Sequence, residues 1–237
     1  GEGAVFLHLG GPTGIPATAT WEAWGGADGA ALGSAVVGVG DVDGDGYPDL
    51  AAGLPGWTAL PDQPGAAWLW FGGAAGPASA PDRLLVGSQD GAGMGAALSA
   101  AGEVDGDGLA DLWIASPAFD DGPNDAGRAC LHAGADLVAG SDAAWCLVDS
   151  PEVGGSFGAA LAAGGDLNGD GRPDLAVASP AADSARGEAF VHLGAAGDVD
   201  AVVGGAAPRA IEHAGSAALS SVGRSSASDA SDVAVHA

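Results

Sequence analysis

Asp41-Val42-Asp43-Gly44-Asp45-Gly46-Tyr47-Pro48-Asp49, with Leu50 after it, is the stretch that decides how this chain is read. Carboxylates occupy its first, third, fifth and ninth positions, and glycines its fourth and sixth. An extended strand would leave these acids repelling one another with nothing between them. A tight turn can gather them around a hard cation, and the spacing follows the opening of an oxygen-ligand calcium loop. Gly46 supplies a sharp backbone turn that a side chain resists. For one copy alone, a solvated acidic turn is the rival reading.

The pattern recurs. A second copy reads Glu103-Val-Asp105-Gly-Asp107-Gly-Leu-Ala-Asp111-Leu112, and a third reads Asp166-Leu-Asn168-Gly-Asp170-Gly-Arg-Pro-Asp174-Leu175. The steps from Asp41 to Glu103 and from Glu103 to Asp166 are almost equal. A constant period of about 60 residues marks a repeat architecture, and three copies displace the solvated-turn reading. The expected cofactor is Ca2+ at three sites. The side-chain ligands are Asp41, Asp43, Asp45 and Asp49; Glu103, Asp105, Asp107 and Asp111; and Asp166, Asn168, Asp170 and Asp174. Glu103 brings a longer arm, and Asn168 keeps an oxygen while removing one charge.

Working outward, each loop is preceded by a glycine-rich apolar segment: Leu32–Gly40, Met94–Gly102 and Phe157–Gly165. Each is followed by a short apolar run: Leu50–Gly53, Leu112–Pro117 and Leu175–Pro180. These runs are too short for helices and lie between turn residues, so they read as strand, calcium turn, strand. Third strands follow at Gly65–Gly72, Gly127–Gly134 and Gly187–Gly194, and fourth strands at Arg83–Gly87 and Ala144–Val148. Each unit of about 60 residues is an antiparallel four-stranded meander.

The chain ends complete the pattern. Gly3–Gly10 matches a third strand and Thr18–Trp24 a fourth, while Gly215–Gly223 matches a first strand and Asp232–Val235 a second. Gly33, Gly95, Gly158 and Ser216 are equivalent positions and follow one another at steps of about 60 residues. The path from Ser216 through both chain ends back to Gly33 has a comparable length. The expected fold class is all-β: a β-propeller of four-stranded antiparallel blades, four per chain, the last shared between the N- and C-termini. The single domain, 1–237, divides into blades at about 26–87, 88–149, 150–209, and 210–237 plus 1–25. Half of an eight-bladed dimeric ring and a fragment of a larger ring are the alternatives. The fourth loop is degenerate, with Arg224, Ser226, Ser228 and Asp232 at the ligand positions, so no ion is expected there.

Phe157-Gly158, the Asp166–Leu175 loop and Ala178-Ser179-Pro180 together resemble the FG-GAP repeat of integrin α-subunit propellers and related bacterial proteins. The resemblance implies structural calcium held by the loop acids and by the backbone carbonyl at the seventh position, here Tyr47, Leu109 and Arg172. It also implies adhesion or interaction rather than catalysis. Propellers of that family usually have seven blades, against four here, and no inserted adhesion domain is visible.

Composition bounds the partners. The net charge is −25, from 31 acids against 6 Lys plus Arg, which excludes nucleic acid and anionic membrane as partners. The three loops hold 11 of those acids, so three divalent ions would neutralise only 6 of the 25 net charges. No apolar run is long enough for a membrane helix, and membrane insertion is not expected. The chain starts at Gly1 and shows no signal peptide, so it reads as processed or excised.

The remaining candidates have modest readings. His8, His132 and His192 share one third-strand position with Trp70 and read as packing or surface residues rather than as a zinc site. Cys130 and Cys146 lie on adjacent strands, as a disulfide or as two buried thiols. Trp68, Trp70, Trp113 and Trp145 read as wedges between blades, and Trp21, Trp24 and Trp57 as loop or edge residues. No Walker-type phosphate loop and no nucleophile–base signature is present. The expectation is a noncatalytic, calcium-stabilised, extracellular, periplasmic or cell-envelope propeller, monomer or homodimer, with an unidentified protein or glycan ligand. The alternatives are a sugar-binding lectin-like propeller and a calcium-dependent polysaccharide lyase or hydrolase.

Overall fold

The computed structural model describes residues 1–57, 64–120, 126–141, 145–148, 154–182 and 186–194. These residues build an essentially all-β molecule of antiparallel sheets. An N-terminal ribbon pairs β1 (Ala4–Leu7) with β2 (Trp21–Trp24). The first full unit runs in order from β3 (Val36–Gly40) through β4 (Asp49–Leu54) and β5 (Ala66–Trp70) to β6 (Arg83–Val86). The second repeats this with β7 (Ala97–Gly102), β8 (Asp111–Ser116), β9 (Arg128–His132) and β10 (Trp145–Leu147). A third unit has three strands, β11 (Ala160–Gly165), β12 (Asp174–Ser179) and β13 (Glu188–His192).

These meanders match the expected blades in strand order and register. The expected fourth strand of the third unit, the first two strands of the shared unit and the degenerate Arg224–Asp232 loop lie outside the described residues. Among the described residues the sheets are therefore two of four strands, one of three and one of two.

Apolar residues alternate along the strands, and each face packs on a neighbouring unit. Val5 and Ala23 of the ribbon meet Leu32, Leu54, Ala66 and Trp70 of the first unit. On the first unit's other face, Val39, Leu69 and Leu85 meet Met94, Leu112 and Ile114 of the second. Trp113, Leu131 and Leu147 of the second then meet Phe157, Leu175 and Val177 of the third. The core is thus a series of seams between sheets, as blades of a propeller require. Trp21 and Trp57, expected at loops or edges, belong to the first seam: Trp21 stands edge-on to Trp70, and Trp57 edge-on to Trp68. Trp24 alone of the three is exposed.

Every seam is stitched by the same device. Leu32, Met94 and Phe157 form parallel bridges to Gly3, Gly65 and Gly127 at the start of the preceding unit's third strand. The next residue, Gly33, Gly95 or Gly158, has φ of 89°, 86° or 90° and donates its N–H to the second strand of its own unit. A Cβ on Gly95 would press into the carbonyl oxygen of Ala66. Just ahead of the bridge the backbone is again left-handed, at Ala31 (φ 58°), Gly93 (φ 67°) and Ser156 (φ 57°). Alanine and serine are strained there, whereas glycine is not.

One helix was not expected. α1 (Gly134–Ala139) follows β9 in the second unit. Ala, Leu and Val within Gly-Ala-Asp-Leu-Val-Ala suit a single turn, Leu137 buries in the seam, and Gly140 (φ 74°) caps the end in the left-handed conformation. Arg83 crosses the seam to that end, donating from Nε to Leu137 O at 2.9 Å and from Nη2 to Val138 O, with its guanidinium over Phe71. The two cysteines face each other across β9 and β10 and form a disulfide.

His132 is buried, and both its ring nitrogens lack hydrogen-bond partners. Burial, with the Arg128 charge adding to it, lowers its pKa from 6.5 to about 4. It is therefore neutral in the folded chain over a range in which the unfolded chain binds a proton. Its contribution to stability is complete above pH 6.5 and is lost as pH falls from 6.5 through 4. Urea denaturation at pH 7 and 4.5 checks this: the native chain is expected to lose about 2 kcal/mol more than His132→Leu over that interval.

Three glycine-related substitutions test the seam. Gly95→Ala is expected to cost about 3 kcal/mol in denaturant unfolding, because steric overlap adds to the left-handed φ. Gly76→Ala (φ 84°, open space around its Cβ) should cost only about 1 kcal/mol. Ala31→Gly should instead stabilise by roughly 0.5 to 1 kcal/mol.

Candidate metal centres

The three acidic loops connect first and second strands and fold on their own carboxylates. In the first loop Asp41 Oδ1 accepts from the N–H groups of Gly44 (2.8 Å) and Asp45 (3.1 Å), and its Oδ2 accepts from Gly46 (2.8 Å). Asp45 Oδ1 accepts from Tyr47 N–H. The third loop repeats this bond for bond: Asp166 accepts from Gly169, Asp170 and Gly171, and Asp170 accepts from Arg172. These bonds, led by that from Gly171, hold the Asp166 carboxyl below the usual carboxylate range.

The ninth-position aspartates do a different job. Asp49, Asp111 and Asp174 are buried. One oxygen of each accepts from the second residue of its own loop, Val42, Val104 or Leu167, at 2.7, 2.7 and 2.6 Å. The other accepts from the glycine that ends the third strand, Gly72, Gly134 or Gly194, at 2.6, 2.8 and 2.7 Å. One carboxylate thus ties the acidic turn to the far strand of the unit.

Two acidic clusters have ligand oxygens close enough for one divalent ion. Asp41, Asp43 and Asp45 converge within 4.8 Å of one another, and so do Glu103, Asp105 and Asp111. The membership differs for a structural reason. In the second loop Glu103 receives a bond from Gly106 N–H, and Asp107 Oδ2 accepts from Ala135 N–H at the start of α1. Asp107 is thereby drawn toward the helix, and the buried Asp111 completes the cluster. In the third loop Asn168 stands in the series, donating from Nδ2 to Asp170 Oδ2, and the Arg172 guanidinium lies 3.9 Å from the same carboxylate.

A divalent cation would relieve the burial and mutual repulsion of these carboxylates. Burial pushes the Asp111 carboxyl up to about 6, and the charges of Asp105 and Asp107 add to that despite two backbone hydrogen bonds. Burial likewise raises Asp49 and Asp105, with neighbouring loop acids contributing. All-oxygen donor sets with excess negative charge suit Ca2+ or Mg2+ rather than a soft transition metal.

The other reactive side chains are engaged in structure. Both cysteines are in the disulfide. His132 and His192 lie in seams, and His8 is exposed, with Nδ1 3.0 Å from Pro16 O. The histidines do not meet at one point of the sheet, since each pairs in register on a different unit. The arrangement of the described residues is structural rather than catalytic. No helix among them is long and apolar enough to cross a membrane.

The comparisons agree with the repeat. The family described as the FG-GAP repeat matches two segments, residues 33–70 and 157–199. The first holds β3, the first acidic loop, β4 and β5, and the second holds their counterparts in the third unit. The middle unit, with Glu103 in place of the first aspartate and a helix after its third strand, lies outside both matched segments. No curated protein matches this chain.

Clasp and ligand roles separate by substitution. Asp49→Ala orphans the N–H groups of Val42 and Gly72 and is expected to cost on the order of 3 kcal/mol in urea with or without calcium. Asp43→Ala should cost under about 1 kcal/mol in chelator, yet lower calcium affinity at least tenfold by calorimetry.

Proposed function

We propose that this chain is a noncatalytic, calcium-stabilised β-propeller scaffold of the FG-GAP type. It has four blades per chain, the last shared between the two ends, and it works outside the cytoplasm by presenting loops to a protein or glycan ligand. The observation that carries this reading is the repeated loop: three copies on one register, with two convergent clusters of three acids. The family match supports the propeller and an interaction role. The disulfide and the strongly acidic surface suit an extracellular, periplasmic or envelope setting.

Calcium in this reading neutralises carboxylates that repel one another and fixes the turn between the first two strands of each blade. The side-chain ligands are Asp41, Asp43 and Asp45 in the first loop; Glu103, Asp105 and Asp111, with Asp107, in the second; and Asp166, Asn168 and Asp170 in the third. Asp49 and Asp174 stand behind their loops, and the seventh-position carbonyls of Tyr47, Leu109 and Arg172 complete the shells. The ion lowers the free energy of the folded state alone, so stability rises with its concentration.

Thermal unfolding in millimolar calcium and in excess chelator tests the proposal. Chelation is expected to lower Tm by at least several degrees, and calorimetric titration of the apo chain should give up to three sites. An unchanged Tm together with no heat of binding would overturn it.

A further inference from the structure

The first and second acidic loops touch each other, and the residue that joins them departs from the repeat. The eighth position of the loop is Pro48 in the first copy and Pro173 in the third, but Ala110 in the second. Proline has no N–H to give. Ala110 has one, and it donates to the carbonyl oxygen of Asp41, the opening residue of the first loop, at 2.9 Å. The peptide group between Asp41 and Val42 is thus held from both sides: its carbonyl by the second loop, and its N–H by the Asp49 carboxylate at 2.7 Å. Asp41 belongs to the first acidic cluster, and Ala110 immediately precedes Asp111, which belongs to the second.

Packing follows the same path. The Leu109 side chain lies over the first loop, where a Cβ on Gly44 would stand 3.2 Å from Leu109 Cδ2. Ala110 sits so close to the end of β3 that a Cβ on Gly40 would be 2.8 Å from its own. Gly134, whose N–H donates to Asp111, is wedged between the two loops: a Cβ there would meet Leu109 Cβ, Ala110 O and Val42 O. The junction of the second and third loops is looser. Gly106, the counterpart of Gly44, has open space where a Cβ would stand, and Pro173 comes only to 3.8 Å from a Cβ placed on Gly102.

We propose that the first and second loops form one coupled pair of cation sites, in which filling either strengthens the other, while the third loop binds independently. This rests on the calcium reading of the loops given above. An ion in the first loop fixes Asp41 and, with it, the carbonyl that Ala110 bonds. The second loop is then partly ordered before its own ion arrives, so less conformational freedom remains to be lost there. Each cluster of three carboxylates stays net negative with a divalent ion in it, so a filled site does not repel a second ion from its neighbour. Coupling of this kind is reciprocal, and an ion in the second loop favours the first by the same factor.

Site-resolved calcium titration of the full chain tests this. Backbone amide resonances of Gly44 and Gly46 report on the first loop, Gly106 and Gly108 on the second, and Gly169 and Gly171 on the third. Asp43→Ala is expected to raise the calcium midpoint of the second loop by about fivefold or more, and to move that of the third by less than about twofold. Asp105→Ala should weaken the first loop by the matching factor. In an Ala110→Pro background, Asp43→Ala should move the second loop by less than about twofold. The repeat carries proline at this position in both other copies, so its backbone accepts the ring. Ala110→Ser, which keeps the N–H, should preserve the transfer. A second loop indifferent to Asp43→Ala, a third loop that shifts as much as the second, or a transfer that survives Ala110→Pro would each overturn the proposal. Hydrogen exchange on the unsubstituted chain gives a reading free of any variant's folding: the Ala110 amide should exchange about fivefold or more slowly in calcium than in chelator, and equal rates would overturn the coupling. Loops that respond to calcium without transfer remove the coupling alone, whereas glycine amides that do not respond at all would remove the calcium reading with it.

Discussion

The interaction on which the units depend is the double acceptance by Asp49, Asp111 and Asp174. Burying a carboxylate is costly, and two charge-assisted bonds from backbone N–H groups are what make the burial tolerable. The bonds come from two places far apart in sequence, the loop that opens the second strand and the glycine that closes the third. The turn can therefore not move without breaking the hairpin behind it. That preformed turn brings the remaining loop acids together before any ion arrives. A divalent cation bound there would meet a preformed set of oxygens and relieve their mutual repulsion.

The seams explain the composition. The first strands of neighbouring sheets, β3, β7 and β11, lie against one another. Glycine and alanine dominate near the bridges because a Cβ on Gly53 or Gly95 would meet backbone of the adjoining unit. Bulk is supplied instead by Trp68, Trp70, Trp113 and Trp145, whose rings pack on one another in pairs. The chain's many alanines are thus the residue of a geometric constraint, and their helix propensity is overridden because a helix would satisfy neither the bridges nor the seams.

Much of this was legible in the sequence because the decisive residues act through spacing. Alternate acids with glycines between them specify a loop wherever they occur, and their recurrence at a near-constant interval specifies a repeat. That Cys130 and Cys146 lie on adjacent strands was legible, whereas the choice between a disulfide and two thiols needed the register that sets them opposite each other. What was not legible depended on contacts between units. Trp21 and Trp57 sit in sequence beside turns, and only the neighbouring sheet draws them inward. The short run of α1 carries too few periodic positions to announce a helix, and its stability comes from Leu137 in the seam and from Arg83 at its end. The diversion of Asp107 toward Ala135 followed from that helix and was hidden with it.

This last point bears on how the three loops differ. In the first and third, the opening aspartate takes three backbone N–H groups of its turn and the third- and fifth-position side chains also accept from the turn, leaving the ninth-position residue to serve as a clasp. In the second, Glu103 has an extra methylene, and the cluster forms instead with Asp111, the same carboxylate that fastens β8 to the end of β9. An ion there would pull directly on the clasp and, through Gly134 and Ala135, on the start of α1. That helix in turn holds Arg83 of the preceding unit. Occupancy of the second loop would therefore be connected by a path of hydrogen bonds to the seam between the first two sheets, where Ala110 N–H of the same loop also donates to Asp41 O of the first loop. The loop that departs furthest from the repeat is the one whose side-chain bonds reach α1 and, through it, Arg83 of the neighbouring sheet.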